Sequence, residues 1–222
     1  MNIVVISAHP DDEVLGCGGT LIKHNQNGDK IFWIITTSIF ESMGFSPQKV
    51  EERNTEIEKV KNFMGIENIY KLEYPTTTLD SSTLVEMVPK ISTIFSEIKP
   101  NVIYVMNRSD AHSDHRITFQ AIMASTKSFR HPYIRKILMY ECLSETEFAP
   151  SLPENVFQPN YFVDVTDTFQ KKLECMSIYK SEIDEHPFPR SYRNIKALAT
   201  YRGAMIGVDY AESYQLLKFI DL

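Results

Sequence analysis

Residues 3–7, Ile-Val-Val-Ile-Ser, form a short apolar run that breaks abruptly into Ala8-His-Pro-Asp-Asp-Glu13. A run this short and apolar, stopped by Pro10, reads as a strand buried on both faces. His9, Asp11, Asp12 and Glu13 then follow its carboxyl end, where open α/β sheets place their binding crevices. One cluster of this kind has an ordinary explanation, because acids favour the first turn of a helix. A second cluster weakens that explanation. Val102–Met106 is another apolar, β-rich run, and it leads into Asn107-Arg-Ser-Asp-Ala-His-Ser-Asp-His115. Imidazoles and carboxylates delivered from two strand ends are the ligand chemistry of a borderline divalent metal such as zinc.

The rest of the chain alternates between strand and helix patterns. Strands are expected near 2–8, 30–37, 68–73, 101–106, 136–142 and 160–165, and helices near 12–26, 48–64, 82–98, 115–128, 167–179 and 191–204. The clearest helix carries Leu84, Val88, Ile91, Phe95 and Ile98 at three- and four-residue spacing and stops before Pro100. Such alternation predicts an α/β fold: a Rossmann-like, doubly wound, mainly parallel sheet in three α/β/α layers. No linker, repeat or low-complexity segment divides it, so residues 1–222 are read as one domain. Strands one and four carry the two clusters, so they are expected to be neighbours, as the order 3-2-1-4-5 provides at its switch point. Gly16-Cys-Gly-Gly19 does not argue for a dinucleotide, because Leu21 stands where the third fingerprint glycine belongs. These small residues are expected to let the first helix press closely on the sheet.

Ala8-His-Pro-Asp-Asp-Glu13 after the first strand, followed later by His112-Ser-Asp-His115, resembles the paired signatures of the LmbE-like, or PIG-L, family. These are zinc-dependent amidases known as N-acetylglucosaminyl de-N-acetylases. The likeness continues through Gly18-Gly-Thr20, Arg53-x-x-Glu56 and Gly207-Val-Asp-Tyr-Ala-Glu212. It implies that His9, Asp12 and His115 bind the metal, with Zn²⁺ the default and Fe²⁺ or Co²⁺ able to occupy the same ligands. It also implies Asp11 as the general base acting on a metal-bound water. His112 is implied, with the metal, to stabilise the oxyanion, and His112 or the protonated Asp11 to pass a proton to the departing amine. Asp114 is expected to hydrogen-bond His112 and set its tautomer, and Glu13 to support the first turn of the helix. Arg53 and Tyr210 are implied substrate contacts, against the alternatives of a helix ion pair and a packed core tyrosine. Some relatives carry Tyr two places before the residue matching His112; here that place is Asp110, so no tyrosine-assisted step carries over. The activity implied is removal of an acetyl group from an N-acetylated amino sugar or sugar conjugate, a hydrolysis of a linear amide C–N bond.

Charge and composition narrow the partners. A net charge of −6 argues against nucleic acid, whose phosphate backbone rewards a basic surface. No stretch approaches the ~20 apolar residues of a membrane helix, and the apolar start lacks a basic leader. Cys17, Cys142 and Cys175 form no C-x-x-C pattern and suit a reducing compartment, so a cytoplasmic location is expected. The partner expected is a small-molecule N-acetyl sugar or conjugate, and a homo-oligomer stays open. His24, His131 and His186 lack partner patterns and are read as surface or packing residues, and Arg108 and Arg202 are further anion-binding candidates. Two other function classes compete. Two histidines and an aspartate form the facial triad of non-haem Fe(II) oxygenases, but those present His-x-Asp, whereas this chain has His9-x-x-Asp12. A non-catalytic carbohydrate-binding or interaction module would need neither Asp11 nor His112 beside the metal.

Overall fold

Apolar runs become strands and amphipathic stretches become helices in the computed structural model, which describes residues 1–221. The order is β1 (Asn2–Ser7), α1 (Asp12–Gln26), β2 (Lys30–Ser38), α2 (Pro47–Met64), β3 (Ile66–Pro75), α3 (Ser81–Ile98), β4 (Val102–Met106) and α4 (Ser113–Ser125). It continues through β5 (Lys136–Tyr140), β6 (Tyr161–Asp164), α5 (Phe169–Met176), α6 (Tyr192–Ala204) and β7 (Ala211–Phe219). The helix boundaries follow local chemistry. Ser46 accepts the Lys49 N–H ahead of Pro47, and Asp80 with Thr83 forms a reciprocal capping box at the start of α3. Pro89 lies inside α3 without ending it, held by the buried Met87, Ile91, Ile94, Phe95 and Ile98.

The strands form one sheet in the order β3-β2-β1-β4-β5-β7-β6. The first five pair in parallel, so the 3-2-1-4-5 arrangement expected from the two clusters is the one observed. β1 and β4 are direct neighbours, with Ile3, Val4 and Val5 opposite Val102, Ile103 and Tyr104. Helix α1 packs with α2 and α5, and α3 with α4. The reversal of winding between β1 and β4 puts these sets on opposite faces, giving three layers.

Strand β7 is a feature that hydrophobic patterning does not reveal. It inserts antiparallel between β5 and β6, and it carries two buried polar residues, Glu212 and Ser213, which break the apolar alternation of a strand. Glu212 is used structurally. Its carboxylate accepts the Gly19 and Thr20 N–H groups and the Tyr214 hydroxyl, and pairs with buried Lys172 at 2.7 Å. The pair therefore joins α1, α5 and β7 in the interior.

The glycines of α1 have the packing role expected of them. A Cβ on Gly16 would lie 2.2 Å from Tyr140 Cδ2, so helix and sheet meet there with no room for a side chain. Tyr140 is fixed in turn by donating its hydroxyl to the Ile6 carbonyl at 2.7 Å. Among the described residues no helix is long and apolar enough to cross a membrane.

Candidate active site

Because β1 and β4 end side by side, the segments that leave them open onto one cavity of about 310 Å³. The first segment turns sharply. Asp11 caps α1 with a φ of 134°, a region non-glycine residues avoid and which clusters at functional sites. Asp12, the first residue of α1, reaches back so that Oδ2 accepts the N–H groups of Ala8 at 3.0 Å and His9 at 2.9 Å. The second segment ends at His112, the N-cap of α4, and places His115 in the first turn of that helix.

His9, Asp12 and His115 converge. His115 Nε2 lies 3.3 Å from Asp12 Oδ2 and 3.4 Å from His9 Nδ1, and His9 Nδ1 lies 4.0 Å from Asp12 Oδ2. A triangle of those edges has a centre about 2 Å from every corner, the ordinary distance of nitrogen and oxygen ligands from zinc. The rings are oriented by two further carboxylates. His115 Nδ1 donates to Asp110 Oδ2 at 2.9 Å, and His9 Nε2 donates to Asp114 Oδ2 at 3.1 Å. Each bond leaves the opposite ring nitrogen bare and aimed at the common point, as metal-binding histidines require. Burial opposes ionisation of Asp12, but His115 and then His9 hold its carboxyl well below the usual range. Two imidazole nitrogens and one carboxylate, with open sides, are a donor set that fits a divalent cation.

The expected role of Asp114 needs correction. Its carboxylate serves His9 and also accepts the Thr77 and Leu79 N–H groups at 2.6 and 3.1 Å. It stays 3.9 Å from His112 Nδ1. What sets the His112 tautomer is the backbone of Asp114, whose N–H donates to His112 Nδ1 at 3.1 Å. That acceptor role leaves Nε2 as the protonated nitrogen in the neutral ring. Burial and then the His9 charge push the His112 pKa down to about 4.

Asp11 lines the same cavity, 5% exposed. Burial raises its pKa well above the carboxylate range, with Asp12 and Glu182 adding to the effect and Arg190 opposing it. Glu13 is the structural support expected, accepting the Asp11 N–H at 3.1 Å and the Tyr179 hydroxyl at 2.8 Å. Arg53 faces the cavity but also makes the helix ion pair, 3.5 Å from Glu56. Tyr210 does not reach it. Its ring stacks on Phe169 with centroids 4.1 Å apart, so the core reading of this tyrosine replaces the substrate reading. His24 bonds Asp29 and Tyr104, His131 bonds Ser92 and Tyr133, and His186 is exposed. Arg202 is held by Glu141 and Arg108 by the Glu154 carbonyl, both outside the cavity lining.

Sequence reasoning missed a third contributor, the segment leaving β5. Cys142 Sγ donates to Asp12 Oδ1 at 3.4 Å, and Cys142 N–H donates to Thr146 Oγ1 at 2.9 Å. Thr146 passes the chain on to Asp110 Oδ1 at 2.7 Å, and Glu145 accepts the His112 N–H at 3.0 Å. The strand-end rule that singled out residues 9–13 and 110–115 applies equally to Glu141–Thr146, which follow the strand beside β4. Arg190 and Glu182 were missed for a different reason. They sit in a connection before α6 that has no periodic signal.

The chain aligns with diacetylchitobiose deacetylase of Thermococcus kodakarensis at 24% identity, covering 99% of this chain and 84% of that protein. It aligns with a probable N-acetyl-α-D-glucosaminyl L-malate deacetylase of Bacillus anthracis at 23% identity, covering 82% and 81%. The solved N,N′-diacetylchitobiose deacetylase of Pyrococcus horikoshii, complexed with an inhibitor, superposes with a TM-score of 0.76. Its identity is 25%, and the match covers 98% of this chain and 84% of that one. At the level of the family, residues 4–126 match, from β1 through α4, the part of the fold that carries both strand-end clusters. The chain belongs to the GlcNAc-PI de-N-acetylase, or PIG-L, family.

Proposed function

We propose that this protein is a metal-dependent N-deacetylase that removes the acetyl group from an N-acetylated amino sugar or sugar conjugate. The observation that carries the reading is the meeting of His9, Asp12 and His115 at one point, with Asp11 and His112 lining the same cavity. The names of the related deacetylases support the same chemistry. His9 Nδ1, Asp12 Oδ2 and His115 Nε2 would hold the cation, with zinc the default and iron or cobalt accepted by the same donors. When bound, a divalent cation supplies Lewis-acid polarisation of the amide carbonyl and a more acidic water.

The chain's own groups then divide the work. Asp11 accepts a proton as the water oxygen adds to the acetamide carbonyl, and its burial favours holding that proton. His112 Nε2–H donates to the carbonyl oxygen as negative charge develops there. The C–N bond breaks, Asp11 or His112 delivers a proton to the leaving nitrogen, and acetate and a free amine result. Asp114 and Asp110 hold the His9 and His115 rings throughout.

The test is a screen of N-acetyl sugars and conjugates for amine release, with metal analysis of the same preparation. Release of amine and acetate in equal amounts by protein holding about one divalent ion per chain is expected. Metal-loaded protein that releases no amine from any N-acetyl sugar would overturn the reading.

A further inference from the structure

Two arginines, Arg53 and Arg190, line the cavity, and both are already committed to the protein. Arg53 donates through Nη1 to the Pro10 carbonyl at 3.0 Å and through Nη2 to Glu182 and Ser181, and its Nε stands 3.5 Å from Glu56. Arg190 donates through Nε to the Glu182 carbonyl at 2.8 Å, through Nη1 to Ser144 at 2.8 Å and through Nη2 to Glu182 Oε2 at 3.1 Å. Every guanidinium nitrogen thus faces a protein acceptor, and one carboxylate, Glu182, is shared by both side chains. Burial opposes ionisation of Glu182, but Arg53 and then Arg190 hold its pKa below the ordinary value.

An anionic substrate would have to displace Glu182 from two charge-assisted pairs and leave a half-buried carboxylate behind. The remaining cation, Lys49, leans toward Glu52 at 4.0 Å with a 34% exposed side chain, where solvent screens it. Ile39, Phe45, Val50 and Ile57 make part of the lining apolar, and those side chains offer an anion no donor.

We infer that the site selects N-acetyl amino sugars whose remaining part is uncharged and discriminates against conjugates bearing phosphate or carboxylate, with Glu182 as the residue that sets this choice. The inference rests on the deacetylase reading for the position of the acetamide. It separates the two kinds of substrate named for the relatives, a neutral disaccharide and a malate conjugate.

The experiment compares kcat/KM for N,N′-diacetylchitobiose with that for N-acetylglucosamine 1-phosphate and the malate glycoside. Calorimetric binding of methyl glucosaminide and glucosamine 1-phosphate to the same metal-loaded protein runs alongside. The parent is expected to favour the neutral member of each pair by at least ~10-fold, the scale of one charge-assisted hydrogen bond. Glu182→Gln should shift the ratio toward the anionic member by roughly 10–100-fold, the value of a bond to a freed guanidinium. Glu182→Asp should keep the parent ratio within about 3-fold. A parent that prefers the anion, or a folded Glu182→Gln protein with an unchanged ratio, overturns the inference. Should no acetylated sugar be hydrolysed while the neutral amine still binds better, selectivity stands and the deacetylase reading falls. The parent comparison decides the matter even if Glu182→Gln does not fold.

Discussion

The Asp110 carboxylate lies 2.9 Å from His115 Nδ1 and receives the Thr146 hydroxyl at 2.7 Å on its other oxygen. Asp110, within the connection between β4 and α4, thereby fixes the ring of His115, five residues on in the first turn of α4. Asp110 is fully buried and also accepts the Asn107 amide at 2.9 Å, so its position is over-determined.

Removing that support should act on metal affinity. Asp110→Ala is expected to weaken zinc binding by ~10–100-fold, the usual worth of a carboxylate behind a liganding histidine. Competition with a chromophoric chelator measures it. Affinity equal to the parent's would show that His115 needs no partner to stay in place.

Asp11, Asp12 and His112 lie in one pocket yet should respond differently. Asp11→Asn is expected to keep its metal and lose ~10²–10⁴-fold in kcat, as for a general base. His112→Ala should also keep its metal and lose ~10²–10³-fold, comparable to an oxyanion donor. Asp12→Asn should purify with little metal. A metal-free Asp11 variant beside a loaded Asp12 variant would reverse the assignment.

Gly16→Ala tests the contact between α1 and β5. The added methyl would meet the Tyr140 ring at 2.2 Å, and that ring is anchored to Ile6. A loss of about 1–3 kcal/mol is expected from overpacking, read as a lower urea midpoint at unchanged m-value. Stability equal to the parent's would mean that Tyr140 can swing aside.

The Lys172–Glu212 pair can be tested by a double-mutant cycle. Lys172→Met leaves a buried carboxylate without its cation and should cost about 3–5 kcal/mol. Adding Glu212→Gln removes the stranded charge, so the double variant should be less destabilised than the two single losses combined. Strict additivity in chemical unfolding would show that the two groups do not interact.

Sequence alone was enough for the first five strands, their order and the two clusters that meet at the ends of β1 and β4. The reason is that each of these is written locally. A buried parallel strand must be a short apolar run, a helix must repeat every three or four residues, and liganding groups must follow a strand end directly. The demand that His9 and His115 meet then forced β1 beside β4, and the sheet obeys it. Tertiary structure alone decided how second partners are shared. Asp114, two residues from His112, serves His9, 105 positions away, because the start of α4 turns its side chain toward β1. Glu182 answers Arg53 across 129 positions, and Cys142 answers Asp12 across 130. Strand β7 belongs with these, since its buried Glu212 makes sense only beside the α1 N–H groups and Lys172. A buried polar group must find its partner, but the partner's place along the chain is unconstrained, so no pattern in the sequence records it.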